Sequence, residues 1–148
     1  MASGIYVARL DAVVISTAIT LIQVNAPATA ALEIIRVWVG QTLSETSTQE
    51  SIQILRTTTA GTGTSFTPIL LRPGDAAAGA TATTNHSGEG SAGDSLLREG
   101  FNILNGWLYL PVPEERIIVA PSGRIALKFP VAPASATWQA GIIWRELG

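Results

Sequence analysis

Apolar and polar residues alternate with a period of two along most of this chain, and Gly, Pro, Asn and Ser cut the alternation into short runs. That pattern predicts half-buried β-strands. Residues 5–16 (IYVARLDAVVIS) and 18–25 (AITLIQVN) read as strands, closed by the Ala26-Pro27-Ala28 turn. Residues 31–41 (ALEIIRVWVGQ) carry apolar side chains on both faces, as a strand buried between two layers does. An amphipathic helix is the alternative there, and β-branched Ile34, Ile35, Val37 and Val39 disfavour it. A polar loop follows, in which Thr42-Leu-Ser-Glu45 and Ser47-Thr-Gln-Glu50 both fit a helix capping box. Further strands are predicted at 51–59 (SIQILRTTT), 65–71 (SFTPILL), 101–104, 107–112 (WLYLPV) and 137–147 (TWQAGIIWREL).

Two hairpins are expected. Asn105-Gly106 between apolar runs is a strong hairpin signal. In 116–131 (RIIVAPSGRIALKFPV), the turn Pro121-Ser122-Gly123 separates a short strand at 116–119 from an alternating one at 124–131. Ile125, Leu127, Phe129 and Val131 then share the inner face, and Arg124, Ala126, Lys128 and Pro130 the outer. Lys128, the only lysine in the chain, reads as an outward charge that discourages stray edge pairing. Residues 73–94 (PGDAAAGATATTNHSGEGSAGD) are expected to be the least ordered, with part of 80–84 pairing and the Gly-rich end a mobile loop. Residues 95–100 are expected to form one helical turn.

No 10–15-residue amphipathic helix separates these runs, so parallel βαβ units are excluded and the sheets should be antiparallel. The fold class is therefore all-β: one domain over residues 1–148, built as an antiparallel two-sheet sandwich. A jelly roll is expected first. An immunoglobulin-like sandwich comes second, since it is usually shorter and its Cys–Trp–Cys core is missing here.

Composition points to a surface made for packing. Of 148 residues, 47% are hydrophobic and only 14% charged, against about 25% in an ordinary soluble domain. Mean hydropathy is +0.33. Ala, Thr, Ser and Gly stand where a free domain carries Lys and Glu, which suits a chain that packs against copies of itself or a larger scaffold. Net charge is −2, and one Lys with eight scattered Arg forms no basic stripe, so nucleic acid is not an expected partner. The absence of Cys excludes disulfides, thiolate nucleophiles and Cys-bound zinc. Residues 12–32 are uncharged but carry Ser16, Thr17, Thr20, Gln23, Asn25, Pro27 and Thr29, too polar for a membrane span, and no membrane partner is expected. The N-terminal MASGIYVARLDAVV lacks a basic segment leading into an unbroken apolar run, so no secretory leader is expected.

Candidate chemistry is thin. Gly88–Gly93 (GEGSAG) matches the dinucleotide fingerprint G-x-G-x-x-G, but the polar TTNHS before it and the missing helix after it remove the context that a pyrophosphate requires. His86 is the only histidine, beside Ser87 and near Asp94, and reads as a solvated loop residue rather than a catalytic base. Asp75, Glu89 and Asp94 lack the spacing of a calcium loop. Asn85-His86-Ser87 is a formal glycosylation sequon, set aside because no secretory leader is expected. Consecutive Glu114 and Glu115 point to opposite sides of an extended chain, so they read as a charged turn and not as a paired acid and base. No catalytic residue, metal site or cofactor is expected. Trp107 and Tyr109 share a strand face, as do Trp138 and Trp144; with Trp38 and Tyr6 they read as core or subunit interface ahead of a sugar-stacking platform.

The last third, GFNILNGWLYLPVPEERIIVAPSGRIALKFPVAPASATWQAGIIWRELG, resembles the end of tailed-bacteriophage capsid decoration (cement) proteins. The likeness lies in a GW-x-Y-x-P strand, a P-E-E-R turn, an apolar strand pair and a terminal W-x-A-G-I-I-x-x-E strand. It implies a non-enzymatic structural protein of the virion that stabilises the outer capsid surface, made in the host cytoplasm during assembly. The implied partners are the major capsid protein and further copies of the chain, a trimer ahead of a dimer. Partner contacts are expected from Ile5 and Tyr6 in a terminal segment spanning residues 2–6, from Trp107, Tyr109 and Lys128, and from Trp144 on the last strand. The loop at 73–94 is a further candidate for reaching the capsid. A carbohydrate-binding module and a phage tail or fibre domain are the alternatives.

Overall fold

The computed structural model describes residues 4–148. Twelve strands follow one another: β1 (Ile5–Ile15), β2 (Thr20–Asn25), β3 (Ala31–Thr42), β4 (Gln49–Thr57), β5 (Thr62–Phe66), β6 (Ile69–Leu70), β7 (Thr81–Gly88), β8 (Ala92–Asn102), β9 (Trp107–Tyr109), β10 (Ile118–Val119), β11 (Arg124–Lys128) and β12 (Ala136–Leu147). One turn of 3-10 helix, Pro113–Glu115, lies between β9 and β10. Every strand pairing is antiparallel. Sheet A has the order β10-β3-β12-β1-β6, with β9 also on β3; sheet B has the order β5-β7-β2-β11-β4-β8.

The pairings describe one long ribbon rolled up. β1 pairs β12, β2 pairs β11, β3 pairs β9 and β10, and β4 pairs β8. Folding that ribbon over brings β12 against β3 and β11 against β4, which completes the two sheets. This is jelly-roll connectivity within a two-sheet sandwich. The segment holding β5, β6 and β7 is inserted at the ribbon's closed end. It returns to the far side, where β6 extends sheet A beside β1 and β7 extends sheet B beside β2.

Period-2 side chains build the core between the sheets. Trp138, Ala140, Ile142 and Trp144 of β12 all face inward and are buried. The Trp138 ring meets Phe129 at 4.8 Å and Phe101 at 6.2 Å, both edge-on, and Tyr6 lies 6.2 Å from Trp144. In β3 the buried residues are Leu32 and Ile34, then Val37 and Val39; the register slips at Ile35, opposite Ile143 and Trp144. This bulge shifts the phase by one residue. It accounts for the apolar residues that seemed to occupy both faces: Ile35 and Trp38 are half-buried and Arg36 is exposed, so β3 is covered on one face only.

Several expectations are corrected. Residues 116–131 do not form a hairpin: β10 belongs to sheet A and β11 to sheet B, with the turn (Gly123 N–H to the Ala120 carbonyl, 2.8 Å) carrying the chain between them. Asn105-Gly106 likewise marks the crossing from β8 in sheet B to β9 in sheet A. Residues 65–71 split at Thr67-Pro68, where the chain passes from β5 to β6 and a residue without N–H costs no pairing. The 73–94 segment is half strand, residues 95–100 are part of β8 and not helical, and no helix follows either capping box. The inner row of β11 ends at Phe129; Val131, beyond the strand, is exposed. Of the row expected to face outward, Ala126 is fully buried and Pro130 lies past the strand end. Lys128 does not guard an edge either, since β11 sits between β2 and β4.

Candidate functional site: an interaction face and a side-chain clasp

The two outer faces of the sandwich differ sharply. On sheet B, polar side chains bond to one another: Gln23 donates to Asn25 (2.9 Å), Asn25 to Thr81 (3.1 Å) and Gln53 to Ser95 (2.8 Å). On sheet A the cross-strand rows are apolar and cationic. One row runs Leu108–Trp38–Gly141–Arg9, the next Arg36–Ile143–Val7–Ile69, the third Ile118–Glu33–Arg145–Ile5. Trp38 lies flat over Gly141, where a Cβ would stand 2.0 Å from the indole, so only glycine leaves it room. The Arg36 guanidinium sits 4.9 Å from the centre of the Trp38 ring. Along the β9–β10 margin Leu108, Leu110 and Ile118 are 54%, 62% and 45% exposed.

Charge on this face is mostly guanidinium. Glu33 accepts from Arg145 and from Arg116 (3.2 Å), while Arg9 pairs with Asp11 at 3.1 Å. The hydrogen bond from Arg145, opposed by burial and helped by Arg116, holds the Glu33 carboxyl below the usual carboxylate range. Arg9, Arg36 and Arg145 lie in the strands of this face, and Arg116 reaches Glu33 from the 3-10 turn that also carries the exposed Glu114 and Glu115.

Of the residues singled out in the sequence, Lys128, Glu89 and His86 meet elsewhere, on the outer side of sheet B. Lys128 Nζ stands 3.4 Å from Glu89 Oε1. Glu89 also accepts from the Thr20 N–H (3.0 Å) and the Thr20 hydroxyl (2.6 Å). Burial pushes the Glu89 carboxyl up, but the Thr20 hydrogen bonds and the Lys128 charge outweigh it and hold the group below its ordinary value. His86, expected in solvent, is 3% exposed. Its Nε2 is 2.8 Å from the Thr83 hydroxyl and its Nδ1 makes no hydrogen bond. Burial lowers its affinity for a proton, against the pull of Glu89 and the Gly88 carbonyl.

Glycines let the backbone close over His86. A Cβ on Gly61 would stand 2.6 Å from His86 Nδ1, one on Gly63 2.5 Å from its Cδ2, and one on Gly90 2.1 Å from the Thr59 carbonyl oxygen. The β4–β5 loop is tied to the β7–β8 turn by Thr58 N–H to the Ser91 carbonyl (2.9 Å) and Ser91 N–H to the Thr59 hydroxyl (2.8 Å). GEGSAG is thus a turn pressed against a neighbouring loop. Its glycines serve close backbone approach and not a phosphate.

Of the expected partner contacts, Tyr6 and Trp144 are fully buried core residues and offer a partner no surface. Trp107 and Tyr109 stack at 6.2 Å on the inner side of β9, where Trp107 donates to Glu99 (3.0 Å) and Tyr109 to the Glu115 carbonyl (3.3 Å). They close the mouth of the sandwich. Ile5 lies on the outer face of sheet A, and Lys128 is occupied by Glu89. Residues 2 and 3 of the expected terminal contact lie outside the described residues. Glu114 and Glu115 are exposed in the 3-10 turn. Among the described residues no three His, Cys, Asp or Glu side chains converge as a metal-holding group.

The residues sequence reasoning missed are Arg36, Gly141 and Arg145, whereas Trp38 reads with the other aromatics as core or subunit interface. Their signal was charge placed inside apolar strands, Glu33 and Arg36 in ALEIIRVWVGQ and Arg145 in the last strand. Comparison with known proteins gave no matching family model, no matching curated protein and no matching solved structure.

Proposed function

We propose that the chain is a non-enzymatic structural protein of a virus particle, a decoration or cement protein bound to the outer surface of a phage capsid. The observation that carries this reading is the outer face of sheet A, where Trp38, Leu108, Ile118 and Ile143 lie among Arg9, Arg36, Arg116 and Arg145. Interface cores are enriched in aromatics and Arg and depleted in Lys and acids, and Trp and Arg dominate their energetics. The resemblance of the last third of the chain to cement proteins points the same way.

The edges argue for docking by a face. β8, the longest edge strand, slips register at Leu96 and carries Asp94, Arg98 and Glu99. The β9–β10 edge is broken by Pro111 and Pro113, and β5 and β6 are short. Such edges resist strand addition. In this reading the arginine-rich, apolar face meets the capsid protein, and burial of about 1,200–2,000 Å² per contact holds the shell subunits together without any reaction. Copies of the chain assemble on the capsid, with a trimer favoured by the resemblance.

Cryo-electron microscopy of particles produced by the genome that encodes the chain tests the reading. Sandwich-shaped density outside the shell, with sheet A facing the capsid protein, is expected. Purified particles free of the chain would overturn it.

A further inference from the structure

We propose that His86 is an acid-operated latch on the edge of sheet B: protonation of its imidazole releases the β7–β8 turn and with it edge strand β5. The device needs a group that is stable neutral and untenable charged, wedged between pieces that can part. His86 has that setting. His86 Nε2 and the Thr83 hydroxyl share a 2.8 Å hydrogen bond, and Nδ1 lies against the Gly61 backbone with no hydrogen bond of its own. The ring is 3% exposed, so the penalty on the charged form is chiefly the loss of water around a positive charge, which the few polar groups near the ring offset only in part.

Besides the Thr83 hydroxyl at Nε2, the groups that favour the charged ring are the Gly88 carbonyl and the Glu89 carboxylate, and both belong to the clasp. The Gly88 carbonyl lies at the end of β7, where Gly88 pairs with Thr62 of β5. The Glu89 carboxylate is the one acid facing the ring, and its oxygens are taken by Thr20 and Lys128. From the other packed elements, the β4–β5 loop with β5 (Thr58 to Phe66) and β2 (Thr20 to Asn25), no titratable side chain faces the imidazole, and Lys128 of β11 is held by Glu89. A charged His86 therefore either draws Glu89 or Gly88 out of place or swings to water. Each route loosens the β7–β8 turn.

What parts then is defined by the topology. β5 pairs only with β7, and beside His86 that pairing is already thin. Thr62 and Thr64 face Gly88 and Thr84, so a single β5 residue, Gly63, opposes Asn85, His86 and Ser87, with Asn85 held at φ 48°. Freeing β5 uncovers the backbone N–H and C=O groups of β7, an eight-residue strand open to an added strand from a partner. The sandwich is closed on this side at neutral pH and open at acid pH.

Because His86 is the only histidine, its ring signals in the NMR spectrum of the intact chain need no assignment. The experiment follows them from pH 8 to 4.5 while hydrogen exchange, corrected for the intrinsic pH dependence, reports on residues 62–66. The expected result is titration below the ordinary histidine value, with about tenfold loss of β5 protection at the same midpoint. In His86→Gln, whose amide can still bond to Thr83 and never charges, protection of β5 should not change with pH. Titration at or above the ordinary value, or β5 protection in the wild-type chain that does not follow the midpoint, overturns the latch whether or not the variant folds.

Discussion

Lys128 and Glu89 are paired at 3.4 Å across the outer side of sheet B, and Glu89 takes two further hydrogen bonds from Thr20. The carboxylate does more than the lysine. Removing Glu89 leaves the Thr20 amide and Lys128 without their acceptor, whereas removing Lys128 leaves Glu89 bonded to Thr20. Glu89→Ala should cost about 1–3 kcal/mol, as for hydrogen bonds to a charged group. Lys128→Ala should cost under about 1 kcal/mol, as for a partly solvated pair. Urea unfolding of both variants gives the order; equal losses would contradict it.

Acid should weaken the fold in two stages. His86 has a folded-state pKa below its unfolded value, so the unfolded chain binds the proton first, and stability falls as pH drops through about 6.5. Glu33 and Glu89 have folded values below 4.5, so their contribution is present above 4.5 and is lost as pH falls through the lower folded values. Chemical unfolding across pH 8 to 3 should show both stages in the wild type. In His86→Gln the first should vanish and the second remain.

Gly141 and Gly40 lie on the same outer face, and their substitutions should differ. A Cβ at Gly141 meets the Trp38 ring at 2.0 Å, while one at Gly40 meets nothing within 4 Å. Gly141→Ala should cost about 1–3 kcal/mol as an overpacked contact. Gly40→Ala should stay within about 0.5 kcal/mol of the wild type. Thermal melts of the two variants check the difference.

Within the core, Trp138 is fully buried against Phe129 and Phe101, whereas Trp107 is half-buried at the mouth. Trp138→Ala should lose about 3–5 kcal/mol and Trp107→Ala distinctly less. Denaturant midpoints of the two variants give the ranking.

The faces of strands were legible in the sequence; their neighbours were not. Trp138, Ala140, Ile142 and Trp144 announce an inner row, and β12 lies within one residue of its predicted span. A turn, however, does not say whether the next strand pairs with the last or crosses to the other sheet. Pro121-Ser122-Gly123 and Asn105-Gly106 therefore read as hairpins and are crossings, because the partners of β11 and β9 lie far away in sequence. Composition misled at His86: a Gly-rich setting suggests mobility, but these glycines bring two backbones close enough to enclose the ring. The outer face of sheet A escaped notice because Arg36, Trp38, Gly141 and Leu108 come from three strands and meet only after the ribbon is rolled.

The central claim is that this face of sheet A docks onto a capsid. Co-sedimentation of the purified chain with empty capsid shells produced from the genome that encodes it, prepared without it, tests that most directly. Wild-type chain should pellet with the shells, and a Trp38→Ala, Leu108→Glu variant, folded by circular dichroism, should stay in the supernatant with affinity reduced at least a hundredfold. Wild-type chain that stays in the supernatant, or a variant that pellets equally well, would contradict the account.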